Sequence, residues 1–430
     1  MANAPTRLSP RTFSRVVPRN GERFPGRLLR AVGNVASVGI LGICVFFGAL
    51  WLEHRTELTL PVPTGPYAVG RALSDWGDAA TPDPLAPVPG TVRELQMWMW
   101  YPAAQPTGRG PHTTSVALAD YLPAPTRAAV THNLGVLLGT FLTHDLGRVR
   151  AHSLMEPPVS GAQRAYPVVI LRAGAAAGVW TYTSLAEDLA SHGYVVVGFD
   201  APYRTQIVAF PDGRVMHRTP ANNPELAAGA PDSGQRINRV LSAWMGDIAF
   251  ALDRLQRLNV GDTSGLSGTG FAAVGRLTGR LDLTRVGLVG HSLGGATALQ
   301  FCHDDVRCTA GVDIDGAPLG TVVRDGIRRP FLFLLSDHRQ DADPENRRIL
   351  MTIQSLYDRL PPSARALVTL PGANHFLFSD DGALLKSHIV LRVLRTIGVL
   401  GLDGRSQLAA TATAVRRFLD AHVAGAHAPT

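Results

Sequence analysis

The residues best suited to do chemistry are the run Gly290-His291-Ser292-Leu293-Gly294, followed by a further glycine, Gly295. A serine in the pattern G-x-S-x-G, entered from the apolar stretch VGLVG and left through ATALQFC, sits on a tight strand-to-helix turn that exposes its hydroxyl. A neutral hydroxyl is a weak nucleophile. It needs a base to take its proton, and the base needs a carboxylate to orient it and stabilise its charged form. Around such a turn the chain order is Ser, then Asp or Glu, then His. His375 fits the third place, because it follows ALVTL through the loop PGANH. His303, His338 and His388 are worse placed, lying on or beside expected helices or straight after another strand. His291 reads as a structural neighbour, since a turn aims adjacent side chains apart. For the carboxylate, Asp315 ends AGVDID and Asp337 ends PFLFLLSD, while Asp313 shares the face of Asp315 but lies deeper. Position alone does not separate Asp315 from Asp337. The oxyanion formed by attack on an ester needs two N–H donors. The amide of Leu293 supplies one, and the loop Arg172-Ala173-Gly174-Ala175 is the expected source of the other.

These residues need a scaffold, and the chain supplies one. PVVILRAG from Pro167, a helical stretch at Thr183–Ser191 and GYVVVGFD make a βαβ unit. Near-continuous Val, Ile and Leu runs suit strands buried on both faces of a parallel sheet. A helix from Gln235 to Leu258, a Gly/Ser/Thr-rich loop and the strand RVGLVG follow, then AGVDID, PFLFLLS, ALVTLPG and helices near residues 383–398 and 406–422. This alternation predicts one doubly wound α/β domain of the α/β-hydrolase fold over residues 93–430. The first strand is expected at Leu95–Tyr101. Residues 106–164 mix loop signals with a helical stretch near Ala128–Leu146, as a lid or rim insertion would. Residues 53–92, with seven prolines between Pro61 and Pro89, read as an irregular lead-in.

The chain has 430 residues, 45% of them hydrophobic and 17% charged, enough to bury a large core. Its net charge is +7, but residues 1–30 contribute six of those charges, through seven arginines and Glu22. The rest is nearly neutral and carries no basic stripe or reader motif, which excludes a nucleic-acid surface. Residues 31–52 contain no charge and are long enough to cross a bilayer as a helix. Arginines before them and Glu53-His54-Arg55 after them predict an uncleaved signal anchor, with residues 1–30 cytoplasmic and the body outside. The alternative is a cleaved signal peptide and a secreted body. Three cysteines are too few for a disulfide scaffold; Cys302 and Cys308 are the one pair that could bridge outside the cytoplasm, with two unpaired buried thiols as the expected state. The 14 histidines show no metal-ligand spacing.

Several segments together resemble the plasma-type platelet-activating factor acetylhydrolases, also called lipoprotein-associated phospholipases, and especially their bacterial relatives. They are PTGPYAVG with Trp76 downstream, MWYPA at 99–103, EDLASHGYVVVGFD at 187–200, GHSLGGATALQ, VDIDG after DVRC, and GANHFLFSD. The resemblance runs from about Pro63 to about Asp380. It implies Ser292 as nucleophile, Asp315 as acid with Asp337 as understudy, His375 as base, and Ala175 as the second oxyanion donor. The relatives usually carry His-Gly where this chain has Ala173-Gly174. The function implied is cofactor-free hydrolysis of short-chain or oxidised acyl esters, including those of phospholipids, beside a membrane. A broader carboxylesterase, lipase or polyester hydrolase is the alternative enzyme. A non-catalytic, membrane-tethered binding protein on the same fold is the alternative of another class.

Overall fold

The computed structural model describes residues 24–105, 118–175, 177–223, 232–338, 343–384, 388–397 and 401–425. Residues 1–23 of the expected tail and 106–117 of the expected rim lie outside the described residues. The expected span falls inside one helix, α1 (Phe24–His54), whose segment Arg30–His54 is long and apolar enough to cross a membrane. The chain divides after Ala49 into two units, and the second, Leu50–Thr430, carries the sheet.

Nine strands form the body of that sheet: β1 (Ala68–Pro82), β2 (Val92–Ala103), β3 (Val149–Met155), β4 (Tyr166–Arg172), β5 (Val195–Asp200), β6 (Leu281–His291), β7 (Ala310–Ile314), β8 (Phe331–Leu335) and β9 (Arg365–Thr369). Their order is β3-β1-β2-β5-β4-β6-β7-β8-β9, and among the described residues three short strands complete a 12-stranded sheet. From β5 to β9 every pairing is parallel, while β2 is antiparallel to both neighbours. The helices needed below are α2 (Ala124–Leu137), α3 (Thr183–Ser191), α4 (Ser233–Asn259), α5 (Leu293–Asp304), α6 (Pro344–Arg359), α7 (His388–Thr396) and α8 (Gly404–Leu419).

Alternate residues of each strand feed two cores, because successive side chains point to opposite faces. Val168 and Ile170 pack with Ile248, Leu252 and Leu255 of α4 and Leu299 of α5. Val169 and Leu171 pack with Leu185 and Leu189 of α3 and Leu408 and Val415 of α8. The sheet is therefore covered on both faces, as the apolar runs predict.

Three expectations are corrected. The lead-in is not irregular: it holds the 15-residue strand β1, paired with β2 from Ala68↔Ala103 to Asp78↔Arg93. Its prolines flank the strand or end it, so they leave the ladder intact. Residues Val149–Met155, within the expected rim, join the sheet through Leu154↔Gly70 and Met155↔Arg71. Finally, Cys302 and Cys308 are joined as a disulfide, with Cα atoms 5.1 Å apart. The end of α5 turns back at once into β7, which brings the two side chains together where sequence spacing alone is silent. Closing this short loop contributes about 2 kcal/mol and ties the helix after Ser292 to the strand before Asp315.

Candidate active site

Ser292 stands between β6 and α5 with φ 55° and ψ −123°, a region that non-glycine residues rarely occupy. The turn closes only because its neighbours are small. A Cβ on Gly290 would lie 2.1 Å from the carbonyl oxygen of Gly294, and one on Gly294 would lie 2.4 Å from that of Ala173. Strain of this kind persists only where surrounding contacts enforce it. Here the Ser292 amide donates to Ile314 of β7 at 2.9 Å, and the Ala296 amide donates back to the Ser292 carbonyl at 3.0 Å. Leu293 is the first residue of α5, so its N–H has no acceptor within the helix and sits beside the serine.

Asp315 follows β7 directly and also has φ 55°. Its buried carboxylate accepts from four groups. Oδ1 takes the Ser336 amide at 2.8 Å and lies 3.2 Å from His338 Nε2; Oδ2 takes Ser336 Oγ and His375 Nδ1, both at 2.7 Å. Burial alone would raise its pKa. The donors from His338, His375 and Ser336 outweigh that effect and hold it well below the usual carboxylate range. Asp315 is thus ionised at any working pH, and with Nδ1 of His375 engaged, Nε2 is the nitrogen left for the serine.

The His375 loop is fixed from two sides. Asp337 accepts the Gly372 amide at 2.6 Å, and buried Gln407 of α8 exchanges two hydrogen bonds with the backbone of Asn374, at 3.0 and 2.7 Å. Asp337 therefore clasps the loop that carries the histidine, while Asp315 is the carboxylate on the imidazole. Ser292, Asp315, His338 and His375 line one cleft of about 490 Å³, whose far wall is Asn346, Ile349, Leu350 and Ile353 of α6. The strongly exposed Phe376 stands at its mouth.

The second expected oxyanion donor lies in the loop after β4. The Gly174 carbonyl accepts from Ala177 at 3.2 Å, so across a trans peptide the Ala175 N–H points away from that turn. The Ala175 carbonyl is held by Arg218 Nη1 at 2.8 Å. Arg172 does not face the cleft; its guanidinium packs 4.1 Å from the Phe199 ring and 4.6 Å from that of Trp244. His338 and Ser336 are the partners of Asp315 that sequence reasoning missed. Their signal was the alternation Ser336, His338 just past β8, next to the strand that ends at Asp315.

Asp313, the deeper carboxylate, makes no contact with His375. Burial pushes its carboxyl up to about 8, against the opposing effect of the Gly316 amide that Oδ1 accepts at 2.8 Å. It is neutral where Asp315 is charged. Between about pH 4 and pH 8 the folded chain keeps a proton that the unfolded chain has released, so stability falls as pH rises through this window. Asp313→Asn is expected to flatten the decline of the thermal midpoint between pH 5 and 8, leaving the part due to the other carboxyls that burial raises, chiefly Asp75 to about 6, Asp200 to about 7 and Asp380 to about 8. A slope identical to wild type would mean that Asp313 titrates normally.

A mostly parallel sheet wound on both faces, with a strained serine at a strand-to-helix turn and a carboxylate-bound histidine at neighbouring strand ends, defines an α/β hydrolase. Within that class, residues 53–427 match the family described as "Platelet-activating factor acetylhydrolase, isoform II", and the chain belongs to it. Among curated relatives, the platelet-activating factor acetylhydrolase of Cavia porcellus is 26% identical over 58% of this chain and 57% of its own length. The probable 1-alkyl-2-acetylglycerophosphocholine esterase of Arthroderma benhamiae is 23% identical over 79% of this chain and 80% of its own. The chain spans about half the length of the mammalian relatives it matches, 54% for that of Canis lupus familiaris and 48% for that of Bos taurus. Among solved structures, the ferulic acid esterase of Streptomyces cinnamoneus superposes with a TM-score of 0.62 at 26% identity, covering 86% of this chain and 94% of that one.

Proposed function

We propose that this chain is a serine hydrolase of carboxylic esters that works through an acyl-enzyme on Ser292. The observation that carries the reading is the 2.7 Å hydrogen bond from His375 to Asp315, at a cleft that also holds Ser292 on its strained turn. In this mechanism His375 takes the Ser292 proton as the hydroxyl attacks the ester carbonyl. The amides of Leu293 and Ala175 receive the oxyanion, and Asp315 stabilises the imidazolium. His375 then gives its proton to the leaving alcohol and activates the water that releases the acid, with no cofactor involved.

Family membership favours short-chain or oxidised acyl esters, including those of phospholipids. The match to a ferulic acid esterase over nearly all of that chain favours a broader carboxylesterase as the second reading. The binding-protein reading is disfavoured by the presence of all three triad residues and by backbone strain kept at the serine. For the N-terminal helix the proposed arrangement is an uncleaved anchor with residues 1–30 in the cytoplasm and the hydrolase outside. The seven leading arginines support it, as does the disulfide, a bond that persists in oxidising compartments. Secretion after cleavage is the alternative.

The test is hydrolysis of p-nitrophenyl esters from acetyl to palmitoyl, with methyl ferulate beside them, by the detergent-solubilised full chain. Turnover concentrated on the shortest acyl groups is the expected result. A maximum on long chains or on ferulate would move the assignment to a lipase or general esterase. No turnover and no fluorophosphonate labelling of the folded chain would move it to the binding protein.

A further inference from the structure

The loop expected to supply the second oxyanion donor is short, glycine-containing and poor in side chains that could fix it. Something outside the loop must hold it. Tyr182 ends a helical turn, Val179–Tyr182, just before α3, and is almost completely buried. Its hydroxyl meets two groups. The Gly174 amide donates to Tyr182 Oη at 3.3 Å, and Oη lies 2.7 Å from His291 Nδ1. A phenol oxygen accepts readily but has one proton to give. Burial raises the phenol above its ordinary range, so the proton stays on it, and His291 Nδ1 is placed to accept it.

His291 is equally constrained. Burial and the nearby His375 lower its pKa to about 3, so the ring is neutral. With Nδ1 accepting from Tyr182, the ring proton sits on Nε2. The His291 ring packs 4.6 Å from the His375 ring and 5.8 Å from Phe378, and its backbone adjoins Ser292. A Cβ placed on Gly174 would lie 3.3 Å from His291 Nδ1 and 3.4 Å from Ser292 Cβ, so the loop rests directly against the nucleophile's turn.

We infer that Tyr182 is a positioning residue for the oxyanion site: its hydroxyl pins the Gly174 amide to His291, and so fixes the Ala175 N–H relative to Ser292. The Gly174 amide is spent on the tyrosine and is unavailable to substrate. The Ala175 amide, next along the chain and turned away from the Ala177 contact, is the donor left to serve the oxyanion. The same hydroxyl ties the loop to the residue before the nucleophile, so the two expected donors, Leu293 and Ala175, are held in one frame. A donor held loosely costs rate in the transition state far more than it costs substrate binding.

This inference rests on the ester-hydrolase reading of Ser292, and the experiment separates the two. Full-length wild type and Tyr182→Phe are compared for kcat and KM on p-nitrophenyl acetate, for inhibition by an alkyl boronic acid that forms a tetrahedral adduct with serine, and for thermal midpoint. Expected for Tyr182→Phe is a kcat lower by roughly 10- to 100-fold, a KM within about twofold, boronate affinity weakened in proportion to kcat, and a nearly unchanged midpoint. His291→Phe, which removes the acceptor, should reproduce the kinetic pattern, and His291→Asn, whose side-chain carbonyl can occupy the Nδ1 position, should recover much of the loss. Unchanged kcat, or a kcat that falls with the thermal midpoint while boronate affinity holds, would overturn the inference and leave the hydrolase reading intact. A wild type that neither turns over ester nor binds the boronate would overturn the reading itself.

Discussion

Ser292→Ala is expected to lower ester turnover by roughly four to six orders of magnitude and to abolish labelling by a fluorophosphonate, with the chain still folded. The serine contributes nothing to the core that alanine would lose: it is partly exposed, and the turn is held by the Ser292 amide on Ile314 and by close approach at Gly290 and Gly294. Alanine keeps the positive φ at similar cost, so the thermal midpoint should move by no more than a few degrees. Rates are best read with an ester having a good leaving group, where residual activity from the oxyanion amides and His375 is measurable above background. Retention of most of the activity would mean that another nucleophile does the work.

Asp315→Asn should cost roughly 10³- to 10⁴-fold in kcat. The loss has a specific cause. The two oxygens of Asp315 face four donors, from Ser336 N, Ser336 Oγ, His338 and His375. An asparagine replaces one acceptor by an N–H group and must turn it toward either the Ser336 amide or the His375 ring. In one case a buried amide pair is left clashing; in the other His375 is driven to the tautomer whose Nε2 carries a proton and cannot accept one from Ser292. The comparison variant is Asp337→Asn. Its carboxylate holds the Gly372 amide, so the expected effect is within about tenfold, arising from a looser His375 loop. The reverse ranking, with Asp337 indispensable and Asp315 dispensable, would reassign the acid.

Much of this site was legible because its signals are local. The turn at Ser292 needs glycine on both sides, and the contacts at Gly290 and Gly294 show why no larger residue fits. His375 was found from its place after the last strand, and the strands from β4 to β9 from uninterrupted apolar runs. Illegible features depend on chain segments distant in sequence. β1 carries prolines at its ends and a mixed polar interior, and only its pairing with β2 makes it a strand. The disulfide depends on how sharply α5 turns back into β7. Tyr182 shows no motif at all; its contact with His291 spans 109 residues.

The sequence by itself determined the reaction type open to this chain. Strand-turn-helix geometry around Ser292 follows from short-range sterics, and the order Ser, Asp, His follows from the winding of a parallel sheet. It also determined a membrane-length apolar segment, since that depends only on composition and length. Only the tertiary structure decided which carboxylate meets His375. Asp315 and Asp337 end adjacent strands, and both stand near the histidine loop. The left-handed backbone at Asp315 points its carboxylate at the imidazole, while Asp337 is consumed by the backbone of that loop. Direction at a strand end is set by the φ of one residue and by hydrogen bonds from neighbouring strands, and neither is written in the spacing of residue types.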